Sequence, residues 1–572
     1  MDIIQARRRG VFFTPLDFAQ KACEYLNKML GKNWTQSKNY RLWDMAAGTG
    51  NLEVFLPKEF LKYCYLSTLE QDDVYSLKKT FPTATSFQYN YLEDDAEDAT
   101  TLWAATLRAN TQSAVSKLPN ALKADLENPS IKWIILLNPP YATAQEAGSK
   151  GANKKGVADT AIRKRMHAER LGEVSRELYT QFLYRILRDF QHRDTVLGLF
   201  APLKYLLSAN YQKFRDHVFH ATFQAGFVFS SEHFGGTSKT RHFPVSFILW
   251  NIGTRLPKDK KPNHSSILLE QTPFHLDVLD ATTLHIGIKN IRPLHRNDFL
   301  SRWIARPRGT TVFPPFSSAL NIASGNTDTR NRAADGFLAS LMCPGNELQC
   351  QHLTAFLSGP QASAGALSVV PDNFEQAVVV FAARRIPKNT WLNHVDQLMK
   401  PKKTLTPQFV SDCAVWSLFD SKNQTAALRN VFYNDRVYQI ENHFFPFPIG
   451  EISNWTIADE NIADSLGNAN NSFVADWLAK QTLSNEAQRL FDCARELYQH
   501  YFAHALQKTD RTCQLAYKIE TYDAGWYQIQ QLLRLAAVQN SIGMERLSKI
   551  KTHHNELRSK LLPLFREFGI LT

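Results

Sequence analysis

Trp133-Ile134-Ile135-Leu136-Leu137-Asn138-Pro139-Pro140-Tyr141 sets five apolar residues directly before an amide, two prolines and an aromatic ring. A short unbroken apolar run reads as a strand buried on both faces, as in a parallel sheet covered by helices. Proline ends the ladder, so the tetrad Asn138 to Tyr141 falls at the carboxyl edge of the sheet, where open α/β folds bind ligands. Upstream, Tyr40 to Met45 is a second strand candidate. It runs into Asp44-Met45-Ala46-Ala47-Gly48-Thr49-Gly50-Asn51, a turn of small residues that lets backbone approach a ligand. Tyr63 to Leu69, Thr195 to Phe200, Gly226 to Ser230 and Val245 to Asn251 complete the strand candidates. Between them Glu177 to Phe190 repeats Leu178, Phe182, Ile186 and Leu187 at helical spacing. This alternation predicts a doubly wound α/β domain over residues 1–255.

Pro257 to Pro262, charged and bounded by prolines, predicts a linker. From 263 to 448 the pattern is irregular, with β-like pieces at Ala377 to Phe381 and Val431 to Ile440, and a mixed α/β region is expected. From 449 to 572 helical periodicity returns: Ser484 caps a helix whose Leu490, Ala494, Leu497 and Tyr501 share a face, and Tyr527 to Ala537 reads likewise. A chain of 572 residues holds several domains, and 44% hydrophobic residues with 25 Gly and 25 Pro exclude collagen-like and disordered classes. No apolar run approaches the roughly 18 to 20 residues of a membrane span, and no secretory h-region follows Arg7-Arg8-Arg9. The seven cysteines form no CxxC pair, so a reducing cytoplasm is the expected location; the 17 histidines show no ligand spacing, so no metal is expected. Lys and Arg outnumber Asp and Glu by 66 to 54, a net +12 that draws a polyanion such as nucleic acid.

Glu70 closes the strand after the glycine turn, where an acid accepts both hydroxyls of a ribose. No Lys-Ser/Thr follows the glycines, which excludes a phosphate loop. Phe12-Phe13-Thr14-Pro15, Asp44 to Asn51 and Asn138 to Tyr141, in that order, resemble the S-adenosylmethionine-dependent DNA adenine N6-methyltransferases of the gamma class, over about the first 250 residues. The resemblance implies a Rossmann-like methyltransferase domain, then a target-recognition region at 263–448 and C-terminal helices at 449–572. It implies S-adenosyl-L-methionine as cofactor and double-stranded DNA as partner. It further implies a stand-alone enzyme without a fused nuclease, any restriction or defence subunit being a separate chain.

By that likeness Phe13, Thr14 and Pro15 close over the methionine part of the cofactor, and Asp44, Ala46, Gly48 and Gly50 hold its carboxylate and adenosine flank. Glu70 resembles the ribose-binding acid. Asn90 and Tyr91 stand where the family has an Asp-Phe pair against the adenine, and the chain departs at both positions. Phe234 resembles a second base-stacking aromatic, with Phe243 its rival. An adenine amine is a poor nucleophile, so two acceptors must draw its nitrogen towards a tetrahedral shape: the Asn138 side-chain oxygen and the Pro139 carbonyl, in the tetrad completed by Pro140 and Tyr141. No Pro-Cys occupies the slot, which argues against cytosine C5 chemistry. Tyr141 is expected to stack on an extruded base through its ring rather than its hydroxyl. The basic segment from Ala142 to Arg170 is expected to meet the DNA backbone through Lys154, Lys155, Arg163 and Lys164. The same tetrad serves RNA adenine and protein glutamine methyltransferases, which are the alternative; a binding module on an inactive methyltransferase fold is a third reading.

Overall fold

The computed structural model describes residues 13–96, 116–142, 160–234, 242–253, 273–292, 295–314, 316, 331–361, 365–452, 472–502, 524–534 and 541–571. Phe12, Lys154, Lys155 and the linker expected at 257–262 lie outside the described residues. The chain forms two compact units: Met1–His295 with Thr390–Val395, and Arg296–Asn389 with Asp396–Thr572.

The first unit is built on a nine-stranded sheet. In chain order its strands are β1 (Tyr40–Asp44), β2 (Cys64–Thr68), β3 (Thr85–Gln88), β4 (Lys132–Leu137), β5 (Thr195–Pro202), β6 (Ala221–Ser230), β7 (Pro244–Ile252), β8 (Phe274–Leu279) and β9 (His285–Ile291). Their order across the sheet is β3-β2-β1-β4-β5-β7-β6-β8-β9. The first five strands pair in parallel, and β7 runs antiparallel to both β5 and β6. The chain winds outward from β1 to β3, then restarts on the other side of β1 with β4. That reversal makes the carboxyl ends of β1 and β4 the switch point, the place at which doubly wound sheets bind ligands.

The apolar run of β4 is explained by the two cores it serves. Trp133, Ile135 and Leu137 point into one, while Ile134 and Leu136 point into the other. Helix α1 (Leu16–Leu30) covers the second face, with Phe18 stacked on Phe229 at 3.8 Å. Helices α2 (Gln71–Thr80), α3 (Asn120–Glu127), α4 (Ala161–Ala168) and α5 (Leu178–Phe190) follow in chain order.

Two differences from the sequence expectation concern boundaries. The first unit does not stop near 255: β8 pairs in parallel with β6 through Phe227↔Asp277 and Val228↔Val278, and β9 pairs with β8, carrying the unit to His295. The alternation of Phe274, Leu276 and Val278 supplies the buried face that makes this extension part of the core. The second unit is likewise undivided at 448, since a single hydrophobic core takes residues from Leu300 to Ile570.

Within the second unit, Ala377 to Phe381 is helical, inside Phe374–Arg385, and not a strand. Its run of valines looks β-like because nearly every side of that helix is buried, which erases helical periodicity. Val431 to Ile440 is a hairpin, Leu428–Tyr433 against Arg436–Ile440, turning through Asn434 and Asp435 at φ 48° and 58° as a two-residue hairpin turn requires. Ser484 caps Asn485–His500, its hydroxyl accepting the Ala487 N–H at 3.3 Å. Among the described residues no helix is long and apolar enough to cross a membrane.

Candidate active site

Four neighbouring parallel strands deliver the residues singled out in the sequence to one edge. Asp44 is the last residue of β1, Glu70 follows β2 as the residue before α2, Asn90 follows β3, and Asn138 follows β4. Asp44 is buried, and its Oδ1 accepts the Ala46 N–H at 2.8 Å, folding the turn back on the strand end. Gly48 and Gly50 sit at φ +51° and +83°, in the left-handed region that side chains avoid. The two glycines differ in purpose. A Cβ on Gly50 would collide with the Phe81 ring, so Gly50 permits close packing at the end of α2; a Cβ on Gly48 would meet only ordinary contacts, Phe13 at 3.8 Å and the Ala46 carbonyl at 4.0 Å.

The tetrad is tied to the N-terminal segment by side-chain hydrogen bonds. Asn138 Nδ2 donates to Thr14 Oγ1 at 3.0 Å, and the Tyr141 hydroxyl donates to Asn138 Oδ1 at 2.7 Å. Asn51, at the end of the glycine turn, donates from Nδ2 to the Thr14 carbonyl at 2.9 Å. Phe13, Thr14 and Pro15 precede α1, so the anchoring of that helix on β6 carries Thr14 to the edge of β4. Three segments far apart in sequence are thus joined through Thr14, itself buried. The sequence gives Asn51 a place in the turn but no role, because nothing in its local sequence announces a hydrogen bond to residue 14.

Tyr141 is flanked edge to face by Phe234 and by Tyr179, each with its ring centroid 6.2 Å away. Burial holds its phenol well above the ordinary tyrosine range, so the hydroxyl stays a neutral donor. Phe234 is buried and meets Tyr141 edge on; in this arrangement the two rings are each other's partners and not parallel walls of an open slot. Phe243 is only partly buried, its backbone tied to Ser231 by N–H to Oγ (3.0 Å) and by its carbonyl to the Ser231 N–H (2.9 Å). Pro139 is buried and Pro140 partly so.

Two expected residues have prior engagements. Asn90 Oδ1 accepts the Leu92 N–H at 3.1 Å, a local turn. Tyr91 is buried in the core: its ring stacks on Phe182 at 5.6 Å, the Arg185 guanidinium lies 4.5 Å from its centroid, and its hydroxyl donates to Asp189 at 3.0 Å. A phenylalanine could not serve that polar network, which accounts for the tyrosine here. Nearby, Arg215 is buried and donates to the Tyr205 and Ser208 carbonyls, a structural tie between short helices.

The segment expected as a basic loop ends in α4. Thr160 caps it by accepting the Arg163 N–H at 3.0 Å, and Ile162 and Met166, four residues apart, bury one face. Arg163 is also buried, at 8% exposed, so it is not placed to meet a phosphate, whereas Lys164 is exposed. Among the described residues no group of three or more His, Cys, Asp and Glu side chains is arranged to hold a metal ion.

An adenosyl cofactor carrying an amino-acid tail suits this edge. The open side of Gly48 gives room a larger residue would fill, Glu70 offers an acid beside the strand end, and the Phe13 ring borders the space. No protein-family model matches the chain, and no curated protein matches it. Solved structures do resemble it. The DrdV–DNA complex shows 16% identity over 60% of this chain and 36% of that chain, at a TM-score of 0.34. The M protein of the type I restriction enzyme EcoKI shows 13% identity over 47% of this chain and 48% of that one, at 0.25. PH1948 from Pyrococcus horikoshii, named as a candidate RNA methyltransferase, shows 13% identity over 43% of this chain and 89% of that one, at 0.22. The chain spans less than half the length of the first two.

Proposed function

We propose that this chain transfers the methyl group of S-adenosyl-L-methionine to the N6 amine of an adenine turned out of double-stranded DNA. The reading rests on one observation above others: the Asn138 amide, held between Thr14 and Tyr141, stands at the end of β4 beside the glycine turn at the end of β1. When bound, the cofactor supplies a methyl group already activated on a sulfonium. The chain's task is then orientation.

A carbonyl oxygen has two lone pairs, so Asn138 Oδ1 can keep the Tyr141 hydroxyl and still accept one N–H of a target amine. The Pro139 carbonyl, fixed by its place in the tetrad, accepts the second. Both acceptors are neutral, so the amine is aligned without being protonated, as a nucleophile requires. Thr14 stops the amide from turning away, which links cofactor-side backbone to target-side chemistry. The Tyr141 ring offers a face to an unstacked base once its edge contacts give way.

The test is methyl transfer from radiolabelled S-adenosyl-L-methionine to double-stranded DNA, RNA and protein offered side by side, with nucleoside analysis of the product. Label in DNA as N6-methyladenine is the expected result. Label confined to RNA, or to a glutamine amide, contradicts it.

A further inference from the structure

The turn at Asp44 has a second carboxyl packed against it. Glu53 is 0% exposed and Asp44 1%. Among the described residues no N–H or O–H donor of another residue reaches either carboxyl oxygen of Glu53, and the group they face is the Asp44 carboxyl. The other titratable neighbours are the thiols of Cys23 on α1 and Cys64 on β2. Each thiol is directed at a backbone carbonyl, Cys23 at Leu52 (3.9 Å) and Cys64 at Phe60 (3.6 Å). No cation is among the groups acting on Glu53.

Two ionised carboxylates only accept hydrogen bonds, and burying both with no cation is strongly unfavourable. One proton between them removes a charge and supplies the missing donor. We infer that Glu53 is a neutral, proton-donating positioning residue whose carboxyl O–H holds the Asp44 carboxylate against the Ala46 N–H at the base of the turn. Burial raises both groups above the ordinary carboxyl range, and the Asp44 charge adds to the rise at Glu53. Asp44 already accepts the Ala46 N–H, whereas no donor of another residue reaches Glu53, so the proton is assigned to Glu53. The inference deepens the proposed function, since it takes the turn to be the cofactor's seat.

A carboxyl whose pKa is raised by folding binds its proton more tightly in the folded chain. Its contribution to stability is fully present below the ordinary glutamate range and is lost as pH rises towards the folded value. The unfolding equilibrium constant of the full chain should thus grow by up to about tenfold per pH unit from this group alone. Glu53→Gln, with an amide N–H in place of the acid O–H, should remove that increment and its neutral-carboxyl infrared band while keeping S-adenosyl-L-methionine binding. Glu53→Leu should remove the increment too, but weaken binding on the order of fivefold to tenfold, because Asp44 loses its donor. An unchanged pH slope in Glu53→Gln overturns the shared proton; native-like cofactor binding by Glu53→Leu overturns the positioning role. A native chain that binds no S-adenosyl-L-methionine contradicts the proposed function instead, while the pH slope still reads the carboxyl pair.

Discussion

Asn138 meets two demands at once: its nitrogen donates to Thr14 at 3.0 Å while its oxygen accepts Tyr141 at 2.7 Å. The sequence points to the Tyr141 ring as the useful part, yet the structure gives the hydroxyl a partner as well. Tyr141→Phe should therefore keep base extrusion, read as the fluorescence of 2-aminopurine at the target adenine, but lose about 1 kcal/mol of amide alignment, roughly fivefold in kcat. Tyr141→Ala should lose both, with about 1 to 3 kcal/mol of base stacking gone. Full turnover in Tyr141→Phe would return the role to the ring alone. At Gly48, φ +51° and the open space beside Phe13 make a branched side chain both strained and obstructive. Gly48→Val should weaken S-adenosyl-L-methionine binding in calorimetric titration, and native affinity in that variant would remove Gly48 from the cofactor seat.

Helix α5 shows why an element behind the site matters. Arg185 and Asp189, one turn apart on it, are almost wholly buried, with Arg185 Nε 3.3 Å from Asp189 Oδ2. Arg185 also donates to the Tyr91 and Asp94 carbonyls, so this ion pair holds the loop that follows β3. Asp189→Ala leaves an unpaired buried guanidinium and should cost about 3 to 5 kcal/mol in urea unfolding; a loss within the range of a surface change would contradict that. The α5 periodicity is legible in the sequence, as are β1, β2, β4, β5, the second half of β6, and β7, because each carries a short run of apolar or β-prone residues that ends at a turn. β3 is not: four residues, Thr85–Gln88, with a single buried side chain carry no pattern. β9 is hidden for the opposite reason, its Ile286 and Ile288 being 60% and 61% exposed, so that apolar character there marks no core. The placement of Asn138, Tyr141 and the glycine turn at strand ends can be read because each directly follows a strand that is local in sequence. The pairings of Thr14, Asn51 and Glu53 cannot, since they exist only once the sheet brings distant segments together.

At the scale of the whole molecule the net charge of +12 favours attraction to a polyanion. Lys154 and Lys155 lie outside the described residues, Lys164 is exposed on α4, and the buried Arg163 drops out of the set expected to meet the DNA backbone. Replacing Lys154, Lys155 and Lys164 by Gln should weaken binding to all DNA sequences alike and flatten its salt dependence, by about 0.9 in log–log slope for each phosphate no longer neutralised. An unchanged slope would mark these lysines as ordinary solvated charge. The central claim, that Asn138 at the switch point aligns an adenine amine in DNA, is tested most directly in a host lacking adenine methylation. Genomic DNA from cells expressing the native chain or Asn138→Ala is read for N6-methyladenine by single-molecule sequencing. The account predicts methylation within one sequence motif for the native chain and none for Asn138→Ala, although that variant still binds S-adenosyl-L-methionine. Unmethylated DNA from the native chain, or methylation undiminished in the variant, would contradict it.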